Sequence, residues 1–178
     1  MTSPSGPISL PGQYLENMLA ACSAFQTWVG AEDATEAAAS IYQEGLPAPS
    51  GGADAYTAAQ LAALRPYAVI YQDAERRGWR RSRIGEGAWV DAGRLLVVLK
   101  QTSTDANDGE PTADANVVFK NTVGSIVSGL CDLRDNSGSG YLMIEEIGIE
   151  DGPYWPDKRQ SVAQGLWVAM DLFVEWGG

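Results

Sequence analysis

The sequence predicts an α+β fold: one domain, a mostly antiparallel mixed sheet, with a long amphipathic helix (about 112–134) and an N-terminal helix packed on it. Three observations carry this. Between 112 and 134 the apolar residues Phe119, Val123, Ile126, Leu130 and Leu133 recur at steps of three and four, which is helical spacing. From 166 to 176 they alternate at every second residue, which is strand spacing. Between the leading helical segment and the long helix lie short apolar runs bounded by Gly, Pro and Asp.

In chain order, residues 1–7 are rich in Ser, Pro and Gly and read as a tail, flexible to about residue 10, that orders on assembly. Pro11 and Gly12 introduce a first helix over 13–29, closed by Gly30. An alanine-rich stretch at 32–39 adds a helical turn or stays irregular, and 41–44 is a short strand before a Pro/Gly loop at 45–55. Thr57 caps a second helix over 57–64, which Pro66 stops. A strand follows at 67–73, then the arginine-rich segment 76–83, and a turn at Asp91-Ala92-Gly93. Leu95 to Leu99 is apolar on both faces, as a central strand should be. An acidic, flexible link, 102–111, leads into the long helix, where Thr112 is the expected N-cap and Asp114 complements the dipole. Gly124 and Gly129 each cost that helix roughly 1 kcal/mol against alanine, a cost explained by close approach of a neighbouring backbone. After the turn-forming run 135–140 comes a strand at 141–150, whose alternation breaks at Glu145-Glu146 as a bulge or an exposed half would. The last strand turns Leu166, Val168, Met170, Leu172, Val174 and Trp176 one way and Trp167, Ala169, Asp171, Phe173 and Glu175 the other.

A chain of 178 residues and 19.0 kDa fits one domain, 1–178. No apolar run approaches the roughly 20 residues of a membrane span, and no signal sequence is apparent, so the expectation is a soluble, unexported protein. Cys22 and Cys131 sit among apolar neighbours on helical faces and read as core thiols rather than a disulfide. Histidine is absent, which excludes His-based triads and most zinc sites. The net charge is −11, and five arginines in eight positions leave the remainder at −11 − 5 = −16. A body this acidic argues against tight binding to a nucleic-acid backbone.

Candidate chemistry is sparse. Glu145, Glu146 and Asp171 are conceivable acid–base carboxylates, but adjacent strand residues point to opposite faces, and solvated acids are the commoner case. The 105–110 run lacks the spacing of a calcium loop, and Gly85-Glu86-Gly87 lacks a phosphate loop's third glycine. We therefore expect no catalytic, metal or cofactor site. Arg76, Arg77, Arg80, Arg81 and Arg83 surround Trp79 between two strands. A solvated hairpin tip competes with a projecting arm that grips an acidic neighbour, since guanidinium pairs carboxylates bidentately and stacks on aromatics. Tyr154 and Trp155, together with Trp167 and Phe173, exceed what one core needs, so either a helix or a neighbouring subunit covers that face.

The order of these elements resembles the tail terminator and tail-completion proteins of long-tailed phages. The features that carry the likeness are Ala24-Phe25-Gln26 in the opening helix, Ala63 to Tyr71 leading into a strand, and Phe119 to Gly124 in the long helix. Gly140-Tyr141-Leu142, and the final stretch from Gln164-Gly165 to Trp176-Gly177, complete it. The likeness is one of order and rhythm, and none of these strings is a diagnostic motif. It implies a non-catalytic virion protein, assembled in the host cytoplasm, forming a hexameric ring at the head-proximal end of the tail. Its partners would be the tail tube protein and the head–tail connector or stopper, with DNA passing an acidic lumen unbound. Another neck role, stopper or adaptor, is the alternative within this class. A small carboxylate- and metal-dependent hydrolase is the alternative outside it.

Overall fold

A computed structural model describes residues 9–49, 55–64, 66–72, 79–84, 88–102, 106–107, 110–111, 113–133, 141–151 and 165–177. Its axis is a long antiparallel pair, β4 (Ala88–Thr102) against β8 (Gly165–Gly177), in register from Asp91 opposite Trp176 to Thr102 opposite Gly165. β8 behaves as its alternation dictates: Leu166, Val168, Met170, Leu172, Val174 and Trp176 are buried, while Trp167, Asp171, Phe173 and Glu175 are only partly so. β7 (Tyr141–Asp151) flanks β8, and its register slips between Ile144 and Glu146, the bulge that the broken alternation foretold. On the other side β2 (Tyr67–Tyr71) pairs antiparallel with β4, and β1 (Ile41–Gln43) pairs parallel with β2. The sheet order is β1-β2-β4-β8-β7, with β3 (Trp79–Ile84) also paired to β4. The expected α+β class and mostly antiparallel sheet are what the chain adopts.

The first helical segment and the long helix pack on one face. The first helical segment is divided where a single helix over 13–29 was expected. It consists of α1 (Leu10–Ala21) and α2 (Ser23–Val29), separated by extended Cys22. Gln26 makes the break tolerable: its side-chain amide donates to the Ala20 carbonyl beside the break, while its backbone N–H makes the first bond of α2, to the Cys22 carbonyl. α1 begins at Leu10, earlier than expected, with Pro11 in its first turn, where a missing N–H costs nothing. Gly30 closes α2 in the left-handed conformation, and Asp33 caps the short α3 (Ala34–Ala38). α4 (Ala58–Leu64) starts with a reciprocal cap, in which the Gln60 N–H donates to Thr57 Oγ1 and the Thr57 N–H to Gln60 Oε1.

The long helix, α5 (Ala113–Cys131), lays Phe119, Val123, Ile126 and Leu130 into the same core as Leu15, Leu19 and Phe25. Each such side chain contributes about 1.5–3 kcal/mol by leaving water. Asp114 sits in its first turn as expected, whereas the expected cap Thr112 lies outside the described residues. Three expectations require correction. Cys22 is a core thiol, but Cys131 is exposed, because it lies about a third of a turn off the buried stripe at the helix end. Asp91-Ala92-Gly93 is no turn but the interior of β4, held between β3 and β8. The 102–111 link includes a two-stranded ribbon, β5 (Ala106–Asn107) with β6 (Glu110–Pro111). Among the described residues no helix is long and apolar enough to cross a membrane.

The two helical glycines separate cleanly. A Cβ on Gly129 would stand 2.7 Å from Cys22 Sγ, so close packing on the α1–α2 break requires glycine there. A Cβ on Gly124 meets nothing within 4 Å, so close approach within this chain does not explain it. Gly124→Ala should therefore raise unfolding stability by about 1 kcal/mol. Gly129→Ala should lower it by about 1–3 kcal/mol through overpacking, and the loss should shrink in a Cys22→Ala background. Chemical denaturation of the four variants checks both.

Burial, aided by Glu44 at Tyr71 and by a hydrogen bond to Glu175 at Tyr141, raises the Tyr71 and Tyr141 phenols above their ordinary value of 10.0. Tyr42 is raised likewise, by burial and then by Tyr56. The folded state thus favours the neutral phenols. Their contribution is intact below pH 10 and is lost as pH climbs through the higher folded values. Stability measured against pH should fall above that point, and the decline should be shallower in the triple Tyr→Phe variant.

Candidate interaction surface

The arginine segment was expected to be a hairpin tip, and the structure moves it. Arg80, Arg81 and Arg83 form a strand, β3, and the chain reverses beyond them, between Ile84 and Ala88. The reason lies in β4, which is long enough to serve two partners end to end along one edge. Leu96 to Lys100 pair with β2, and Ala88 to Gly93 with β3. Arg76 and Arg77 lie outside the described residues, as do Tyr154 and Trp155. The last three β3–β4 pairs, Ser82 with Val90, Arg83 with Trp89 and Ile84 with Ala88, run past the residues of β4 that β8 reaches. The hairpin end is therefore a two-stranded arm.

Alternation sorts the arm's side chains. Trp79, Arg81, Arg83, Trp89 and Asp91 fall on the helix-bearing side of the sheet, and Arg80 on the other. Arg81 grips Asp91 across the strands with two parallel hydrogen bonds, Nε to Oδ1 at 2.8 Å and Nη2 to Oδ2 at 2.9 Å. Asp91 is only 6% exposed, and its hydrogen bond holds the Arg81 guanidinium above its ordinary pKa. Arg81 also lies over the Trp79 ring, 5.6 Å from its centroid. On the opposite face Arg80 and Arg94 both approach the Phe173 ring, at 5.2 and 5.7 Å. Arg94 donates to Asp171 Oδ2 at 2.8 Å and reaches Glu146 at 3.7 Å. Arg83 is exposed and makes no ion pair among the described residues.

The expected site residues therefore divide. Arg81 is committed within the chain, Arg80 is half committed to Phe173, and Arg83 and the rings of Trp79 and Trp89, 41% and 55% exposed, face outward. The sequence reading missed Trp89, Asp91 and Arg94. Their roles follow from the β3–β4 and β4–β8 registers, which no local pattern specifies. Glu146 and Asp171, considered as acid–base candidates, do converge, but on Arg94, which ties Asp171 directly.

A second surface feature lies on the helix side, beside β7. Phe119, Val123, Gly124, Val127, Ile147 and Ile149 line an apolar groove of about 260 Å³ between α5 and the sheet. Ile149 is half exposed there. The groove is below the ~300–1,000 Å³ of ordinary small-molecule pockets and holds few polar groups to orient a ligand. The chain matches no family model and no curated protein sequence.

If the Arg81–Asp91 pair fixes the arm, Arg81→Gln should leave a buried carboxylate without its guanidinium. Amide hydrogen exchange in β3 should then quicken severalfold, while exchange in α5 stays unchanged.

Proposed function

We propose that this chain is a structural virion protein that forms a ring at the head-proximal end of a phage tail, ending tube growth and joining the tail to the head connector. The observation that carries the assembly half of this reading is the arm. It presents Trp79, Trp89 and Arg83 outward from a chain whose net charge is −11. Large aromatics and arginine exposed together are the composition of an interface centre. The tail half rests on the resemblance in element order: opening helix, strand, long helix, paired final strands. An acidic ring interior suits the passage of DNA, since like charge keeps the duplex from adhering. Another neck role would use the same arm, and position in the particle separates the two. The convergence of Glu146 and Asp171 on Arg94 favours a fastening of the sheet over a hydrolytic pair.

Particles made without this protein should carry tails of irregular, excessive length that fail to join heads, as seen by electron microscopy. Normal-length, unjoined tails would instead indicate a connector or stopper. In solution, Arg83→Gln and Arg80→Gln should each weaken assembly modestly, by at most ~1 kcal/mol per exposed pair, and more at low salt than at high. Sedimentation across a salt series measures this.

A further inference from the structure

Two of the outer edges that the sheet presents among the described residues carry opposite charge. β7 ends the strand order, and its outer edge pairs with no described strand. β3 pairs with β4 alone, so its outer edge is likewise unpaired among the described residues. The β7 sequence, YLMIEEIGIED, holds four acids and no base, with Glu145 and Glu146 exposed. The β3 sequence, WRRSRI, holds three arginines and no acid. Charge on an edge strand commonly serves to keep edges apart. Here it does so selectively: β7 against β7, or β3 against β3, opposes like charges, whereas β3 against β7 attracts. Symmetric two-fold pairing through either edge is thereby disfavoured, and between these two edges the head-to-tail contact is the one that charge favours.

Strand direction permits that contact. β3 runs antiparallel to β4, β4 to β8, and β8 to β7, so β7 points opposite to β3. A second copy displaced along the sheet without being turned over would thus set its β3 antiparallel to β7, with its helices on the same side. Trp79 lies on that side of β3 and is 41% exposed. The α5–β7 groove lies on that side of β7, with half-exposed Ile149 at its lip and open space over Gly124. We propose that β3 of one copy adds to the β7 edge of the next, with Trp79 entering the groove, so that one sheet continues from subunit to subunit. This interface is directional, and it builds a ring when the rotation per copy closes and a filament when it does not. It rests on the self-assembly half of the function proposed above and gives that half its contact.

The test uses full-length chain in two complementary forms. In one, Arg80→Glu and Arg83→Glu make both edges acidic. In the other, Glu145→Arg and Glu146→Arg take β7 from four acids to two acids and two arginines, so that arginines stand at its two exposed acidic positions. Circular dichroism and the unfolding midpoint confirm that each is folded; if the double substitution unfolds either, Arg83→Glu and Glu145→Arg alone take its place, with a smaller loss expected because one substitution weakens the edge's charge without reversing it. Each form by itself should lose at least tenfold in association constant by sedimentation, because the attraction between oppositely charged edges is reversed in the first form and abolished in the second. An equimolar mixture should regain the wild-type assembled mass. Either form assembling alone as wild type does, or a mixture that stays monomeric, overturns the proposal. Hydrogen exchange on the wild-type chain reads the same contact without substitution. Concentrating it should protect amides in β3 and β7, and protection confined to other elements also overturns the proposal. Wild-type chain that stays monomeric at every concentration overturns both the edge contact and the ring. Assembly through other elements overturns the edge contact alone, and edge assembly that never enters tails overturns the tail role alone.

Discussion

Everything in this fold is referred to the register between β4 and β8. A shift of one residue would turn Leu166, Val168, Met170, Leu172 and Val174 away from the core that they share with α1, α2 and α5. The same register brings Arg94 opposite Phe173 and Leu96 opposite Asp171, so that the guanidinium lies within reach of both ring and carboxylate. It also decides how far β4 outruns β8, which is what leaves an arm to project. Core, ion pair and arm are three readings of one alignment.

Against that alignment the sequence was legible where a local pattern carries the physics. The period of β8, the stripe on α5, the break at Glu145-Glu146 and the cap at Thr57 each depend on residues within one element, and each appears as expected. Legibility failed where a distant partner decides. The Asp91-Ala92-Gly93 triplet has turn composition, yet strands on both sides hold it extended, so tertiary pairing overrides local preference. Cys22 carries no helix-breaking signal, and the division of the first helix is helped by the Gln26 side chain satisfying the Ala20 carbonyl. Of the candidate site residues, the sequence singled out the arginines by density. It gave no indication that Asp91, ten residues on, holds Arg81.

That internal use changes the meaning of the cluster. Density of charge suggested a collective grip, with every guanidinium directed outward. The structure divides the labour: Arg81 stiffens the arm, Arg80 helps cover Phe173, and Arg83 with the two tryptophans remains available. A stiffened arm loses less conformational freedom on contact than a loose one, so fewer outward groups suffice for a given affinity.

The pairing of β4 with β8 also sets the order in which the chain can fold. The two strands are joined only after α5 and β7 have intervened, so the sheet's midline is a contact of long sequence separation. Such contacts bear the full entropy of loop closure before any pairing compensates it, which makes folding slow for a chain of this size. Until β8 arrives, β4 carries one open edge lined by Leu95, Val97 and Leu99, a ready template for misdirected pairing between nascent chains. The strong negative charge of the body is then useful before the fold exists: it keeps incomplete chains apart during the interval when their most adhesive strand lacks its partner.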